Sequence, residues 1–135
     1  MCINNFLNKV IKWSKKEELI EGICLVGSYA RKQAKLNSDI DLILLCKDTE
    51  KYLNDLDWTN NFGNVKKFQK EYYDSVTSIR VWYKDGIEVE YGFTKIIWAN
   101  IPVDKGTKRV VEDGMKIIYD PKDILLSLQQ YVCKN

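Results

Sequence analysis

The sequence predicts an α+β fold (α/β in the broad sense): a mixed sheet with helices packed on it. Three observations lead there. Apolar runs of strand length alternate with segments of helical period in the first half of the chain. An Asp85-Gly86 turn signal then joins two alternating segments, as in an antiparallel hairpin. Hydrophobic residues are 45% and charged residues 30% of 135, which suits a folded domain, here expected to span residues 1–135.

From about 4 to 17, Phe6, Leu7, Val10, Ile11 and Trp13 recur at helical spacing, so an amphipathic helix is expected. Gly22 to Val26 reads as a buried strand. Ser28 to Leu36 is expected to be a short helix capped by Ser28. Asp39 to Leu45 is a second buried strand, and Asp48 to Leu56 a helix with an acidic cap. Trp58 to Asn64 reads as a loop turning at Gly63. Val65 to Tyr73 and Ser75 to Tyr83 read as strands, the second rich in β-branched and aromatic residues. Ile87 to Phe93 returns the hairpin, with Ile87, Val89 and Tyr91 on one face and Glu88, Glu90 and Gly92 on the other. The pattern loosens after Phe93. Thr107 to Asp113 is helical and stopped by Gly114, and Met115 to Tyr119 is a short strand. Asp120-Pro121 opens a last helix whose apolar face is Ile124, Leu125, Leu128, Tyr131 and Val132.

Composition narrows the chemistry. The chain has no histidine, which removes imidazole bases, Ser-His-Asp and Cys-His nucleophiles, and His-ligated zinc. Cys2, Cys24, Cys46 and Cys133 are scattered and read as reduced thiols. Apolar runs stay well below bilayer-spanning length, and the amphipathic N-terminus lacks the features of a secretory signal, so a cytoplasmic protein with no membrane association is expected. With 21 basic and 19 acidic residues interspersed, the charge argues against a nucleic-acid partner. Arg31, Lys32 and Lys35 read as a solvated helix face, and Arg80 as either a partner of nearby acids or a surface residue. Trp58 and Trp82 read as core; Trp98 has the least regular surroundings.

The chemistry centres on LVGSYARKQAKLNSDIDLILL, Leu25 to Leu45. Side chains alternate along a strand, so Asp39 and Asp41 share a face while Ile40 and Leu42 enter the core. Two adjacent carboxylates raise each other's pKa unless a cation lies between them. Oxygen ligands without histidine suit Mg²⁺, which takes carboxylates together with substrate phosphates. Gly27 lets the backbone approach a ligand, and Ser28 adds a hydroxyl at a helix start, where phosphate is favoured. A third acid would complete the site; Glu88 and Glu90 share a face, and spacing alone does not choose between them. An EF-hand fails for want of the remaining ligands and the turn glycine.

Gly27-Ser28, ten intervening residues, then Asp39-Ile40-Asp41 resembles the signature of the polymerase β-like nucleotidyltransferases, and in particular their small, minimal bacterial members. The segments at Glu88, Trp98, Val103 and Ile118 extend the likeness over roughly residues 22 to 124. The resemblance implies the polymerase β-like fold. It implies that Gly27 and Ser28 bind the nucleotide, and that Asp39, Asp41 and Glu90 are catalytic and hold Mg²⁺ in a two-metal site. ATP or another nucleoside triphosphate would give its monophosphate to a hydroxyl of a small molecule or a partner protein, with release of pyrophosphate. Antibiotic-modifying enzymes and toxin–antitoxin pairs both occur in this superfamily, so an aminoglycoside- or lincosamide-type acceptor and a helical toxin partner are both expected candidates. Lys32 departs from the glycine of many relatives. The alternative is a non-catalytic, antitoxin-like module on the same fold that binds nucleotide or partner without turnover.

Overall fold

Every strand-like run of the sequence joins one sheet, and the helices fall on its two faces. A computed structural model describes residues 3–35, 38–73 and 75–134. In chain order these form α1 (Ile3–Ser14), β1 (Ile20–Val26), α2 (Gly27–Ala30), β2 (Ile40–Cys46), α3 (Thr49–Asn54) and a 3-10 turn (Asp57–Asn61). Then follow β3 (Val65–Tyr73), β4 (Val76–Tyr83), β5 (Glu88–Thr94), a second 3-10 turn (Ile96–Ala99), α4 (Lys105–Asp113), β6 (Lys116–Tyr119) and α5 (Ile124–Lys134). The strand order is β3-β4-β5-β2-β1-β6. The β2–β5 pair is parallel, and the other neighbours are antiparallel. A parallel pair needs a long crossover. Here the chain leaves β2 through α3, enters at the β3 edge and returns by β4 and β5 to lie beside β2.

Alternation assigns the faces. Ile23, Leu25, Leu42, Leu44, Tyr91 and Phe93 point to one side, where Phe6, Leu7 and Val10 of α1 meet them. Tyr52, Trp58 and Phe62 complete that layer: Trp58 sets its ring edge-on to Tyr91 at 4.8 Å, and Tyr52 stacks on Phe93 at 5.5 Å. Cys24 and Leu45 point to the other side, under Val111 of α4 and Leu125, Leu128 and Val132 of α5. Burying each of those leucines contributes roughly 1.5–3 kcal/mol. Cys24 and Cys46 are buried free thiols and Cys133 is an exposed one; Cys2 lies outside the described residues. No helix among the described residues is long and apolar enough to cross a membrane.

Several local expectations need correction. The helix expected over Ser28 to Leu36 is a single turn, Gly27–Ala30, and Leu36 lies outside the described residues. Lys32 at φ 59° leaves the right-handed region, so the turn cannot propagate. Val26, not Ser28, is its N-cap, and no side chain caps it. The expected loop from Trp58 to Asn64 holds a 3-10 turn, because Trp58 and Phe62 both plug the core. Asp48 does stand at the N-cap of α3, but its side chain makes no capping bond. The last helix begins at Ile124; Asp120 still serves it, accepting hydrogen bonds from the backbone N–H groups of Leu125 and Leu126.

Candidate active site

The second face is apolar at one end and acidic at the other. Along β2 that face reads Asp41, Ile43, Leu45; α4 and α5 cover its apolar end. Register sets what lies beside the acids. Asp41 is opposite Glu90 on β5, Glu90 is opposite Arg80 on β4, and Val26 of β1 is opposite Asp41 from the other side. Directly opposed residues share a face, so one row across the sheet carries the acids and a guanidinium. Asp39, two residues before Asp41, adds its carboxyl to the same face, and ligand oxygens of Asp39, Asp41 and Glu90 lie within 4.8 Å of one another.

The turn after β1 closes on this cluster. Gly27 has φ 74°, and a Cβ built on it would collide with Oδ2 of Asp41. Glycine is therefore required twice, by its backbone conformation and by the close approach. Ser28 follows in the same turn, half-buried. Asp41, Glu90 and Gly27 line a cleft of about 340 Å³, together with Trp98, Val110 and Asp113.

The electrostatics are tense. Burial, with Asp39 and Glu90 beside it, pushes the Asp41 carboxyl up to about 8. Its Oδ1 is buried with no hydrogen-bond partner. Burial also raises Glu90, against the pull of Arg80 and of hydrogen bonds from its neighbours. The Tyr73 hydroxyl donates to Glu90 Oε1 at 3.1 Å, and Arg80 Nη2 lies 3.3 Å from the same oxygen. Arg80 also bonds Asp39, Glu71 and Glu88. An acidic group with an orphaned buried oxygen and no nitrogen ligand fits a hard divalent cation such as Mg²⁺.

Of the residues singled out in the sequence, Gly27, Asp41 and Glu90 line this cleft, Asp39 joins the two acids within 4.8 Å, and Ser28 stands one residue along from Gly27. Glu88 does not join the 4.8 Å group; its carboxylate is held by Arg80 Nη1 at 2.5 Å. Trp58 is core, Trp82 lies under the Lys67 ammonium, and Trp98 is both buried and cleft-lining. Arg31, Lys32 and Lys35 are exposed, and Arg31 borders the cleft. Tyr73, Val110 and Asp113 were missed. Only the parity of Tyr73 in its strand, opposite Val76, could have hinted at its place.

The mixed sheet sets carboxylates of two parallel neighbours against a glycine turn, and the family match together with the fold likenesses supports a polymerase β-like nucleotidyltransferase. The chain belongs to the streptomycin adenylyltransferase family, whose model matches residues 2–131. Among solved structures it is similar to an aminoglycoside 6-adenyltransferase from Bacillus subtilis, with TM-score 0.56 and 18% identity over 70% of this chain and 35% of that one. It is also similar to a CCA-adding enzyme in an apo form, with TM-score 0.51 and 14% identity over 95% of this chain and 32% of that one. At these identities the likeness is one of fold, and the chain spans about a third of the length of either structure. No curated protein sequence matches it.

Proposed function

We propose that the protein transfers a nucleoside monophosphate, AMP from ATP, to an acceptor hydroxyl and releases pyrophosphate. The observation that carries this reading is the meeting of Asp39, Asp41 and Glu90 within 4.8 Å. The family match supports a nucleotidyl donor, and its streptomycin-modifying namesake favours a small aminoglycoside-type acceptor over a protein hydroxyl such as that of a helical toxin.

Asp39, Asp41 and Glu90 would hold Mg²⁺, one ion or two. Bound there, the metal supplies Lewis-acid polarisation of the α-phosphate and offsets the charge that develops on it. The chain's own groups do the rest. Gly27 keeps the turn low enough for the triphosphate to lie against the acids, and backbone N–H groups of the Gly27–Ser28 turn face phosphate oxygens. Glu90, oriented by Tyr73 and Arg80, accepts the proton of the acceptor hydroxyl. The acceptor oxygen forms a bond to the α-phosphorus, the bond to the β-phosphate oxygen breaks, and pyrophosphate leaves with those electrons. Trp98 and Val110 give the cleft an apolar lining beside the acids.

The test is pyrophosphate release from ATP and Mg²⁺, with aminoglycosides, lincosamides and cell lysate as acceptors. Asp41→Asn removes a ligand while relieving the charge crowding. The expected loss of rate is about a hundredfold or more, with the fold retained. Release by the variant at the wild-type rate contradicts the assignment. Triphosphate binding without release in any condition identifies a binding module instead.

A further inference from the structure

Arg80, beside the acidic cluster, pairs with four carboxylates among the described residues. Its guanidinium, 18% exposed, holds Asp39 Oδ2 at 3.0 Å and Glu88 Oε2 at 2.5 Å through Nη1. Nε holds Glu71 Oε1 at 3.0 Å, and Nη2 lies 3.3 Å from Glu90 Oε1. Two of these acids, Asp39 and Glu90, belong to the cluster; Glu71 on β3 and Glu88 on β5 lie outside it. Among the described residues, every ion pair to this group of acids comes from Arg80. Asp41 receives none of that charge, and its Oδ1 is the buried oxygen without a partner.

A guanidinium stays charged at any working pH and offers its donors in a fixed plane. Its positive charge lies between Asp39 and Glu90 and offsets the repulsion between two carboxyl groups held side by side. The same oxygens would serve a divalent cation, so a permanent positive charge 3.0 Å from one ligand and 3.3 Å from another both repels that cation and occupies its lone pairs.

We propose that Arg80 is the resident counter-cation of the carboxylate cluster: it holds Asp39 and Glu90 in the absence of metal and competes with the divalent cation for them, while Glu71 and Glu88 anchor it to one side. This rests on reading Asp39, Asp41 and Glu90 as metal ligands. Arg80 then acts as a positioning residue that sets the metal concentration at which the site fills. Its two anchors matter in the opposite sense, since each keeps the guanidinium from leaning wholly on the cluster.

The experiment is a titration of chelator-stripped protein with Mg²⁺ and with Mn²⁺, read by melting temperature and by calorimetry, on wild type, Arg80→Gln, Arg80→Lys, Glu88→Gln and Asp41→Asn. Without metal, Arg80→Gln should melt lower than wild type. With metal it should recover, and its apparent affinity should rise about tenfold. Arg80→Lys, which keeps the charge and loses the fork, should fall between, and it carries the test if the glutamine variant does not fold. Glu88→Gln should bind metal more weakly than wild type. Equal or weaker metal affinity in the Arg80 variants overturns the proposal. A wild-type response abolished in Asp41→Asn, with no change at Arg80, counts against Arg80 alone. A wild type that responds no more than Asp41→Asn overturns the metal reading and this inference with it.

Discussion

At the residue scale, Asp41 and Gly27 are bound to each other. The turn can pass over the Asp41 carboxyl because Gly27 has no side chain and accepts φ 74°. Gly27→Ala should therefore cost about 1–3 kcal/mol from backbone strain, with the collision added, read as a lower denaturant midpoint. The pH behaviour of Asp41 follows from its environment. Its folded pKa is raised to about 8 from an ordinary 3.8, so the folded state binds the proton more tightly than the unfolded chain does. This group's contribution is thus most favourable below about pH 4, is lost as pH rises towards 8, and is level above that. Chelator-treated wild type should lose stability across that window, and Asp41→Asn should flatten this part of the profile. A profile identical in both proteins would refute the assignment of the proton to Asp41.

At the scale of elements, the site depends on pairings that local sequence does not encode. The Gly-Ser turn, the Asp-x-Asp strand and the face of β5 were legible because alternation and turn chemistry are local rules. The choice of Glu90 over Glu88 was not legible from spacing and came only from the family resemblance. It depends on the parallel register that sets Asp41 opposite Glu90, fixed by a crossover through α3 and the β3–β4 hairpin. The helix expected after Ser28 was misread because charged residues in periodic spacing do not reveal a left-handed Lys32. The Trp58–Asn64 segment was misread because its polar residues hid two aromatic plugs four apart. Helix α5 holds the covered end of the second face through Leu125 and Leu128, both fully buried. Leu128→Ala should lower stability by about 2–5 kcal/mol with an unchanged denaturant slope. A change below about half a kcal/mol would mean that α5 does not brace the sheet as described.

At the scale of the molecule, the sheet divides labour between its faces. One face is closed by α1, Tyr52, Trp58 and Phe62, and carries the larger core. The other is closed at one end by α4 and α5 and open at the other, where the acids stand. The open end forms where Asp41 precedes Ile43 and Leu45 on its face of β2 and lies opposite Glu90 of β5. The absence of histidine, plain in the sequence, already left catalysis to carboxylates, backbone dipoles, Lys/Arg and hard cations. The counter-ion role of Arg80 became readable once four strands had brought Asp39, Glu71, Glu88 and Glu90 around it. The activity proposed for the whole molecule is nucleotidyl transfer at the Asp39–Asp41–Glu90 cluster. Its most direct test is to incubate the protein with Mg²⁺, an aminoglycoside panel and ATP labelled at either the α- or the γ-phosphate. The expected result is α-label on the acceptor and γ-label in pyrophosphate, with both lost in Asp41→Asn. Label moving from the γ-position to the acceptor, or α-label transferred equally by Asp41→Asn, would contradict it.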